Sequence, residues 1–233
     1  MSISNIPIFI LSGGFGTRLG KTLNDKIPKP MANINGKPFL ERKIITIREY
    51  FPSNPIYLLT HHLSESIEKY FKSHKNIYCI KEDKPLGTGG SIKNAINILN
   101  LTANDKLLVF NGDTYLKPNL KQLINASYNG ISIVACYENN TLRFNMLEIK
   151  DNKVIKFLDK DSSASSNYIN GGCYYFDNLI YLKSQKPTVF SIEEKLIELV
   201  INHPIGALIY DDIFIDIGVP EGYTKIQKLN FNE

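Results

Sequence analysis

Residues 11–31 read Leu-Ser-Gly-Gly-Phe-Gly-Thr-Arg-Leu-Gly-Lys-Thr-Leu-Asn-Asp-Lys-Ile-Pro-Lys-Pro-Met, and the rest of the chain is organised around this stretch. The apolar run from Ile6 to Leu11 leads into it and predicts a buried strand. The run ends in Ser12, Gly13, Gly14, Phe15 and Gly16. Glycines at 13, 14 and 16 let the backbone turn sharply and bring bare N–H groups close to an anion. Arg18 and Lys21 then supply positive charge, and Lys29 supplies more at the far end of the loop. A strand, a glycine loop and spaced cations make a site for a polyphosphate.

Two other glycine-loop patterns fit less well. A P-loop of the form G-x-x-x-x-G-K-[ST] finds its second half in Gly20-Lys21-Thr22, but its first glycine falls on Phe15. Such a loop also runs straight into a helix, which Pro28 and Pro30 forbid soon after. The dinucleotide fingerprint G-x-G-x-x-G matches Gly14 and Gly16, but its third glycine falls on Leu19.

Outward from the loop, strands and helices alternate. Helical spacing of Phe39, Leu40, Ile44, Ile47 and Phe51 predicts a helix that Pro52 ends. Strands are expected at 56–60, 77–80 and 107–110, with helices at 63–71 and 90–99 between them. The run Leu107 to Phe110 is wholly apolar, as in a central strand covered on both faces. This β–α order argues an α/β fold with a doubly wound sheet, parallel in the first half. The second half reads as strands at 131–137, 145–149, 154–158, 169–176, 205–210 and 214–217. Asp151-Asn152 makes a hairpin turn. Ser191 caps a helix that runs to Asn202, with Glu194 completing a capping box, and a last helix follows Pro220. The expected organisation is one domain over 1–233, with a nucleotide-binding half near 1–115 and an inserted antiparallel substrate-binding half near 116–233.

A chain of 233 residues with 43% apolar and 21% charged residues suits one globular domain with a full core. Its net charge of +4 fits small anionic substrates and does not argue for nucleic acid. Cys79, Cys136 and Cys173 lie far apart in apolar runs and read as free thiols of a cytoplasmic protein. The four histidines have no metal-ligand spacing, no apolar stretch is long enough to span a membrane, and no secretory leader is read at the start. The oligomeric state is open, with a homo-oligomer possible.

Asn111-Gly112-Asp113 follows the apolar strand at 107–110, and carboxyl ends of parallel strands are where α/β sheets bind ligands. Asp113 is therefore expected on the rim that carries the glycine loop. Asp216 follows Ile213 to Ile215 in the same way, just before Gly218. Two such carboxylates can share one Mg²⁺, a hard cation that takes one or two carboxylates plus substrate phosphates. Glu82 to Gly90, Glu-Asp-Lys-Pro-Leu-Gly-Thr-Gly-Gly, lies between a strand and a helix. Its paired glycines at the helix start would admit a flat base.

Gly13-Gly14-Phe15-Gly16-Thr17-Arg18-Leu19, followed by Pro28-Lys29-Pro30, resembles the signature of the sugar-1-phosphate nucleotidylyltransferases. The resemblance extends from Ile8 to Gln227 and includes Pro85-Leu86-Gly87-Thr88-Gly89-Gly90 and Phe214-Ile215-Asp216-Ile217-Gly218. It implies the Rossmann-like mixed sheet of the nucleotide-diphospho-sugar transferases. It implies nucleotide contacts at Leu11, Ser12, Gly13, Gly14, Gly16, Thr17, Glu82, Gly87 and Thr88, and catalytic roles for Arg18, Lys29 and Asp113. The metal would be Mg²⁺ on Asp113 and Asp216. Asp159-Lys160 stands where the family carries Glu-Lys to grip the sugar phosphate, and Asn170 and Gly172 stand where it contacts sugar hydroxyls. Arg143-Phe144-Asn145 departs from the family's Arg-Tyr-Gly.

Within that family, Asn35-Gly36-Lys37-Pro38-Phe39-Leu40-Glu41, Asn111-Gly112-Asp113-Thr114-Tyr115 and Ile169-Asn170-Gly171-Gly172 resemble the branch that guanylylates a manno-heptose 1-phosphate. Glu82 adds a chemical reason for GTP. Relatives selective for uridine or thymidine nucleotides commonly carry Gln there. A carboxylate instead accepts from guanine N1–H and the N2 amino group together. The expected reaction joins a sugar 1-phosphate to the GMP moiety of GTP and releases pyrophosphate. The alternative activities are a mannose-1-phosphate guanylyltransferase and a glucose-1-phosphate thymidylyl- or uridylyltransferase, and a regulatory subunit of the same fold and a γ-phosphate transferase are the other classes the residues admit.

Overall fold

The structure is a computed structural model that describes residues 5–14, 27–141, 143–158 and 166–231. In chain order its elements are β1 (Ile8–Leu11), β2 (Asn33–Ile34), β3 (Lys37–Pro38), α1 (Phe39–Arg48), β4 (Ile56–Thr60), α2 (Ser64–Phe71) and β5 (Ile77–Lys81). Then come α3 (Gly87–Ile98), β6 (Leu107–Asn111), β7 (Thr114–Tyr115), α4 (Leu120–Asn125), β8 (Ile131–Tyr137), β9 (Met146–Lys150), β10 (Lys153–Leu158) and β11 (Tyr168–Phe176). The last are α5 (Ile180–Ser184), α6 (Ile192–Val200), β12 (Ile205–Tyr210), β13 (Ile215–Asp216) and α7 (Pro220–Gln227).

Nine strands form one mixed sheet in the order β5-β4-β1-β6-β11-β8-β12-β10-β9. The first four are parallel. β11 turns the sheet antiparallel, pairing with β6 on one side and β8 on the other. β12 runs parallel to β8, and the hairpin of β9 and β10 closes the far edge. The helix-bearing first half and the antiparallel insertion are both as the sequence predicts.

Alternation along β1 explains the two layers of core. Ile8 and Ile10 point to one face, where Leu40, Ile44 and Ile47 of α1 and Ile67 and Phe71 of α2 cover them. Phe9 points to the other, against Ile92, Ala95 and Ile96 of α3 and Leu196 of α6. Both faces being covered, β1 and the first four residues of β6 are apolar rather than alternating. The β9–β10 turn has Asp151 and Asn152 at φ 50° and 55°, the left-handed pair that a two-residue hairpin needs. Ser191 caps α6 by accepting the Glu194 N–H at 3.2 Å.

Three features depart from expectation. α3 starts at Gly87 rather than 90. The short β2–β3 pair, α4 and α5 carry too few residues to show a period, and the sequence reading has no element at any of them. β13 is only two residues long and pairs with β7 outside the main sheet. Asp216 therefore does not end a strand of that sheet. Among the described residues no helix is long and apolar enough to cross a membrane.

Candidate active site

β1 and β6 lie side by side in parallel with Leu11 opposite Asn111, so the segments that follow them leave at the same edge. Gly112 donates its N–H to Leu11 O at 3.0 Å. A Cβ at 112 would stand 2.3 Å from that oxygen, so only glycine allows the two segments to approach so closely. Gly13, Gly14 and Asp113 meet at this edge in a cavity of about 320 Å³, with Leu11, Lys29, Glu82, Gly87, Thr88 and Asn111 also in its wall. Ser12 is turned inward instead. Its N–H donates to Leu59 O at 2.8 Å, its hydroxyl to Ile10 O at 3.3 Å, and it is buried.

Glu82 follows β5 and is braced from three directions. Its N–H donates to Thr60 O at 2.8 Å, its carbonyl lies 3.1 Å from His61 Nδ1, and its Oε2 accepts the Leu86 N–H at 3.2 Å. The carboxylate thus folds its own loop as well as lining the cavity. Gly87 has φ +74°, and a Cβ there would stand 2.6 Å from Phe190 O. The expectation that Gly89 and Gly90 admit a base is corrected. Both donate their N–H groups to Phe190 O, at 3.0 and 3.2 Å, and a Cβ at Gly89 would strike the Phe190 ring. They admit the loop before α6, and it is Gly87 and Thr88 that face the cavity.

Lys29 sits in a single 3₁₀ turn over Lys29–Met31, is 9% exposed, and places Nζ 2.5 Å from Asp113 Oδ2. The β7–β13 ribbon brings Asp216 to the same place. Thr114 pairs with Asp216, and Ile217 donates its N–H to Asp113 O at 2.9 Å. Asp216 Oδ1 accepts the Gly218 N–H at 2.7 Å. A Cβ at Gly218 would stand 2.3 Å from Lys29 Nζ and 2.6 Å from Asp216 Oδ1, so the missing side chain leaves the space in which cation and carboxylates converge. Beneath the ribbon, buried Lys43 donates to Thr114 O at 2.7 Å, and burial pushes its pKa down from 10.5 to about 8. Among the described residues no cluster of three or more acidic, histidine or cysteine side chains could hold a metal. Asp113 and Asp216 bring two hard carboxylate oxygens toward this edge, a chemistry that fits a divalent cation completed by substrate phosphates.

Asn170 and Gly172 stand at a bulge in β11, where the pairing with β8 shifts register. Gly172 has φ +67°, and a Cβ there would stand 2.4 Å from Asn111 Nδ2. Asn170 Oδ1 accepts the Gly172 N–H at 2.9 Å, and its N–H donates to Asn145 O at 3.1 Å. Neither lines the 320 Å³ cavity. Gly16, Thr17, Arg18, Asp159 and Lys160 lie outside the described residues. The sequence reading named no role for His61, Ser91 or Asn111, all of which line the cavity. Asn111 has a buried side-chain oxygen with no hydrogen-bond partner among the described residues. It sits in a motif whose chemistry is read from Asp113, and no spacing marks it out.

A family model described as nucleotidyl transferase matches residues 8–230. The chain belongs to that family. It is 36% identical over 221 residues to a D-glycero-alpha-D-manno-heptose 1-phosphate guanylyltransferase of Campylobacter jejuni, covering 92% of this chain and 95% of that one. It is 32% identical to the enzyme of the same name from Aneurinibacillus thermoaerophilus, over 94% and 96% of the two chains. Among solved structures, HddC from Yersinia pseudotuberculosis complexed with GMP-PN aligns with a TM-score of 0.79 and 30% identity, over 96% of this chain and 98% of that one. A nucleotidyl transferase family member is what the glycine signature predicts, and the sheet order described above is the matching fold.

Proposed function

We propose that this nucleotidyl transferase moves GMP from GTP to D-glycero-α-D-manno-heptose 1-phosphate and releases pyrophosphate. The observation that carries the reading is the pair of guanylyltransferase relatives, each matched over more than nine-tenths of both chains. Glu82 in the cavity wall adds a reader for guanine. An oxygen of the sugar phosphate attacks the α-phosphorus in line. A new P–O bond forms there as the bond to the oxygen bridging toward the β-phosphorus breaks, and pyrophosphate leaves with the electron pair. No covalent enzyme intermediate is needed, so catalysis rests on positioning and charge.

The roles follow from placement and resemblance. Gly13 and Gly14, with Gly16 and Thr17, offer N–H groups to the triphosphate. Lys29, held by Asp113, faces the transferred phosphoryl group, and Arg18 stabilises the leaving pyrophosphate. Lys160 and Asp159, with Asn170 and Gly172, hold the sugar phosphate. Asp113 and Asp216 are the residues that would hold a divalent cation, Mg²⁺, which when bound neutralises phosphate charge. The chain then divides into a nucleotide half near 1–115 and a sugar-phosphate half near 116–233. A cytoplasmic location suits its free cysteines, two of them buried.

The test is kcat/KM for GTP, ITP, ATP and UTP with wild type and Glu82→Gln. ITP keeps N1–H but lacks the amino group, so the expected order is GTP over ITP over ATP. Glu82→Gln should narrow the GTP–ATP gap by about tenfold or more, the loss of one charge-assisted contact. An unchanged gap would remove Glu82 as the reader of the base.

A further inference from the structure

α3 shows two faces. Ile92, Ala95 and Ile96 lie in the core with Phe9 of β1, while Gly87, Thr88 and Ser91, at helical spacing i, i+1, i+4, line the cavity. Ser91 is only 6% exposed. A serine or threonine inside a helix often returns its hydroxyl to the carbonyl four residues back. Thr46 does so to Arg42 O at 3.2 Å, and Thr224 to Pro220 O at 2.9 Å. Among the described residues the Ser91 hydroxyl makes no such bond, to Gly87 or to any other group. Alanine is the better helix former and has no hydroxyl to desolvate. A serine here therefore costs stability unless a ligand completes its hydroxyl.

The other side-chain donors at this end of the cavity are committed. Thr88 gives its hydroxyl hydrogen to Glu193 Oε2 at 2.6 Å and accepts the Ile192 N–H at 2.9 Å. The Glu82 carbonyl can only accept, so His61 Nδ1, 3.1 Å away, turns its hydrogen toward it. Neighbouring backbone groups are held as well. The Leu86 N–H is on Glu82 Oε2 at 3.2 Å, and the Gly89 and Gly90 N–H groups are on Phe190 O.

Guanine chemistry says what the Ser91 hydrogen would meet. A carboxylate at 82 is acceptor-only and takes N1–H and the N2 amino group. That leaves O6, an acceptor, on the other side of N1. Glu82 Oε2 is the oxygen turned to α3, because it accepts the N–H of the residue just before that helix. With N1–H on Oε2 and the amino group on Oε1, O6 faces α3. Ser91 stands four residues into that helix, about 6 Å along the axis from Gly87.

We propose that Ser91 is a second base-contacting residue, its hydroxyl donating to O6 of the guanine whose N1–H and amino group Glu82 accepts. This rests on the reading of Glu82 as the reader of guanine. The two residues divide one edge of the base, Glu82 taking its donors and Ser91 its acceptor. A hydroxyl can also turn to accept from the amino group of adenine, so rejection of ATP stays with Glu82, and Ser91 favours a purine with oxygen at position 6.

The experiment is kcat/KM by pyrophosphate release with the full chain and D-glycero-α-D-manno-heptose 1-phosphate, for GTP, ITP, 6-thio-GTP and 7-deaza-GTP, in wild type and Ser91→Ala, alongside thermal unfolding. In 6-thio-GTP a weakly accepting sulfur replaces O6 while N1–H and the amino group remain. Ser91→Ala should lower GTP, ITP and 7-deaza-GTP about tenfold, since all three keep O6, and leave 6-thio-GTP within about twofold. The wild-type preference for GTP over 6-thio-GTP should thus shrink about tenfold, and the size of the sulfur cancels because it is common to both proteins. An equal loss with GTP and 6-thio-GTP, or no loss with GTP, would overturn the proposal. So would a loss that spares 7-deaza-GTP, which would put the hydroxyl on N7. Should Ser91→Ala melt below the assay temperature, Ser91→Gly takes its place with the same expectations. A wild type that does not prefer GTP to ATP would fail the guanine reading and this one with it. A wild type that prefers GTP, with Ser91→Ala unchanged, would fail this one alone.

Discussion

At the scale of single residues, the site sets a buried cation against two half-buried carboxylates. Lys29 is almost wholly buried with its amine on Asp113, and Asp216 is delivered beside it by a two-residue strand. Asp113→Asn should lower kcat by about 10²-fold or more, the loss of one preorganised electrostatic partner. Asp216→Asn should do likewise, and on the proposal that both hold one ion the double variant should be far from multiplicative. Near wild-type turnover by either single variant would contradict a shared cation. Lys43 makes a separate prediction about stability. Its folded pKa is lowered from 10.5 to about 8, chiefly by burial. Between those values the unfolded chain holds a proton that the folded chain has shed, so this lysine makes stability rise with pH through that window. Below pH 8 the full penalty of burying the charge is present. Cys136 and Cys173, pushed up by burial, act in the opposite sense but are common to wild type and variant. Urea unfolding should therefore show the stability of wild type relative to Lys43→Met climbing by about 3 kcal/mol from pH 8 to 10.5, at about 1.4 kcal/mol per pKa unit. A flat difference would refute it.

At the scale of elements, short segments do the placing. Gly218 lies just past β13, where a Cβ would enter the space shared by Lys29 and Asp216. Gly218→Ala should thus lower kcat roughly 10-fold to 100-fold, as a displaced ligand does, while the melting temperature falls by only a few degrees. A fully active variant would show that the convergence there is incidental. The long elements were legible because period and burial agree. β1, β6 and α1 carry apolar residues in the pattern their packing needs, and the order of strands and helices led to the sheet. What could not be read is what arrives by contact rather than by period. β7 and β13 have two residues each, and their pairing is what moves Asp216 off the main sheet to Asp113. Gly89 and Gly90 look like a ligand loop in sequence, but their partner is Phe190, a hundred residues further on. Glu194 carries the capping pattern in the sequence, and its neighbour Glu193 carries none. Only the fold shows that Ser191 takes the Glu194 N–H and gives its own hydrogen to Glu193.

At the scale of the molecule, one sheet joins a parallel half and a largely antiparallel half. Its parallel side ends in the glycine loop, Asn111 and Asp113, and its antiparallel side carries Asn170 on β11, the strand that touches both. On the proposed function, a nucleotide from one side and a sugar phosphate from the other would meet at the Lys29–Asp113–Asp216 edge. The most direct test is a pyrophosphate-release assay of the wild-type chain over a grid of GTP, ATP, UTP and dTTP against heptose, mannose and glucose 1-phosphates, with the nucleotide sugar identified in each positive well. GTP with D-glycero-α-D-manno-heptose 1-phosphate should give the highest kcat/KM. Mannose 1-phosphate should follow at roughly 10-fold to 100-fold lower, since the pocket must sense one added hydroxymethylene, and one such group is worth about 1–3 kcal/mol. A preference for UTP or dTTP, a preference for a gluco sugar, or release of phosphate or GDP in place of pyrophosphate would contradict the account.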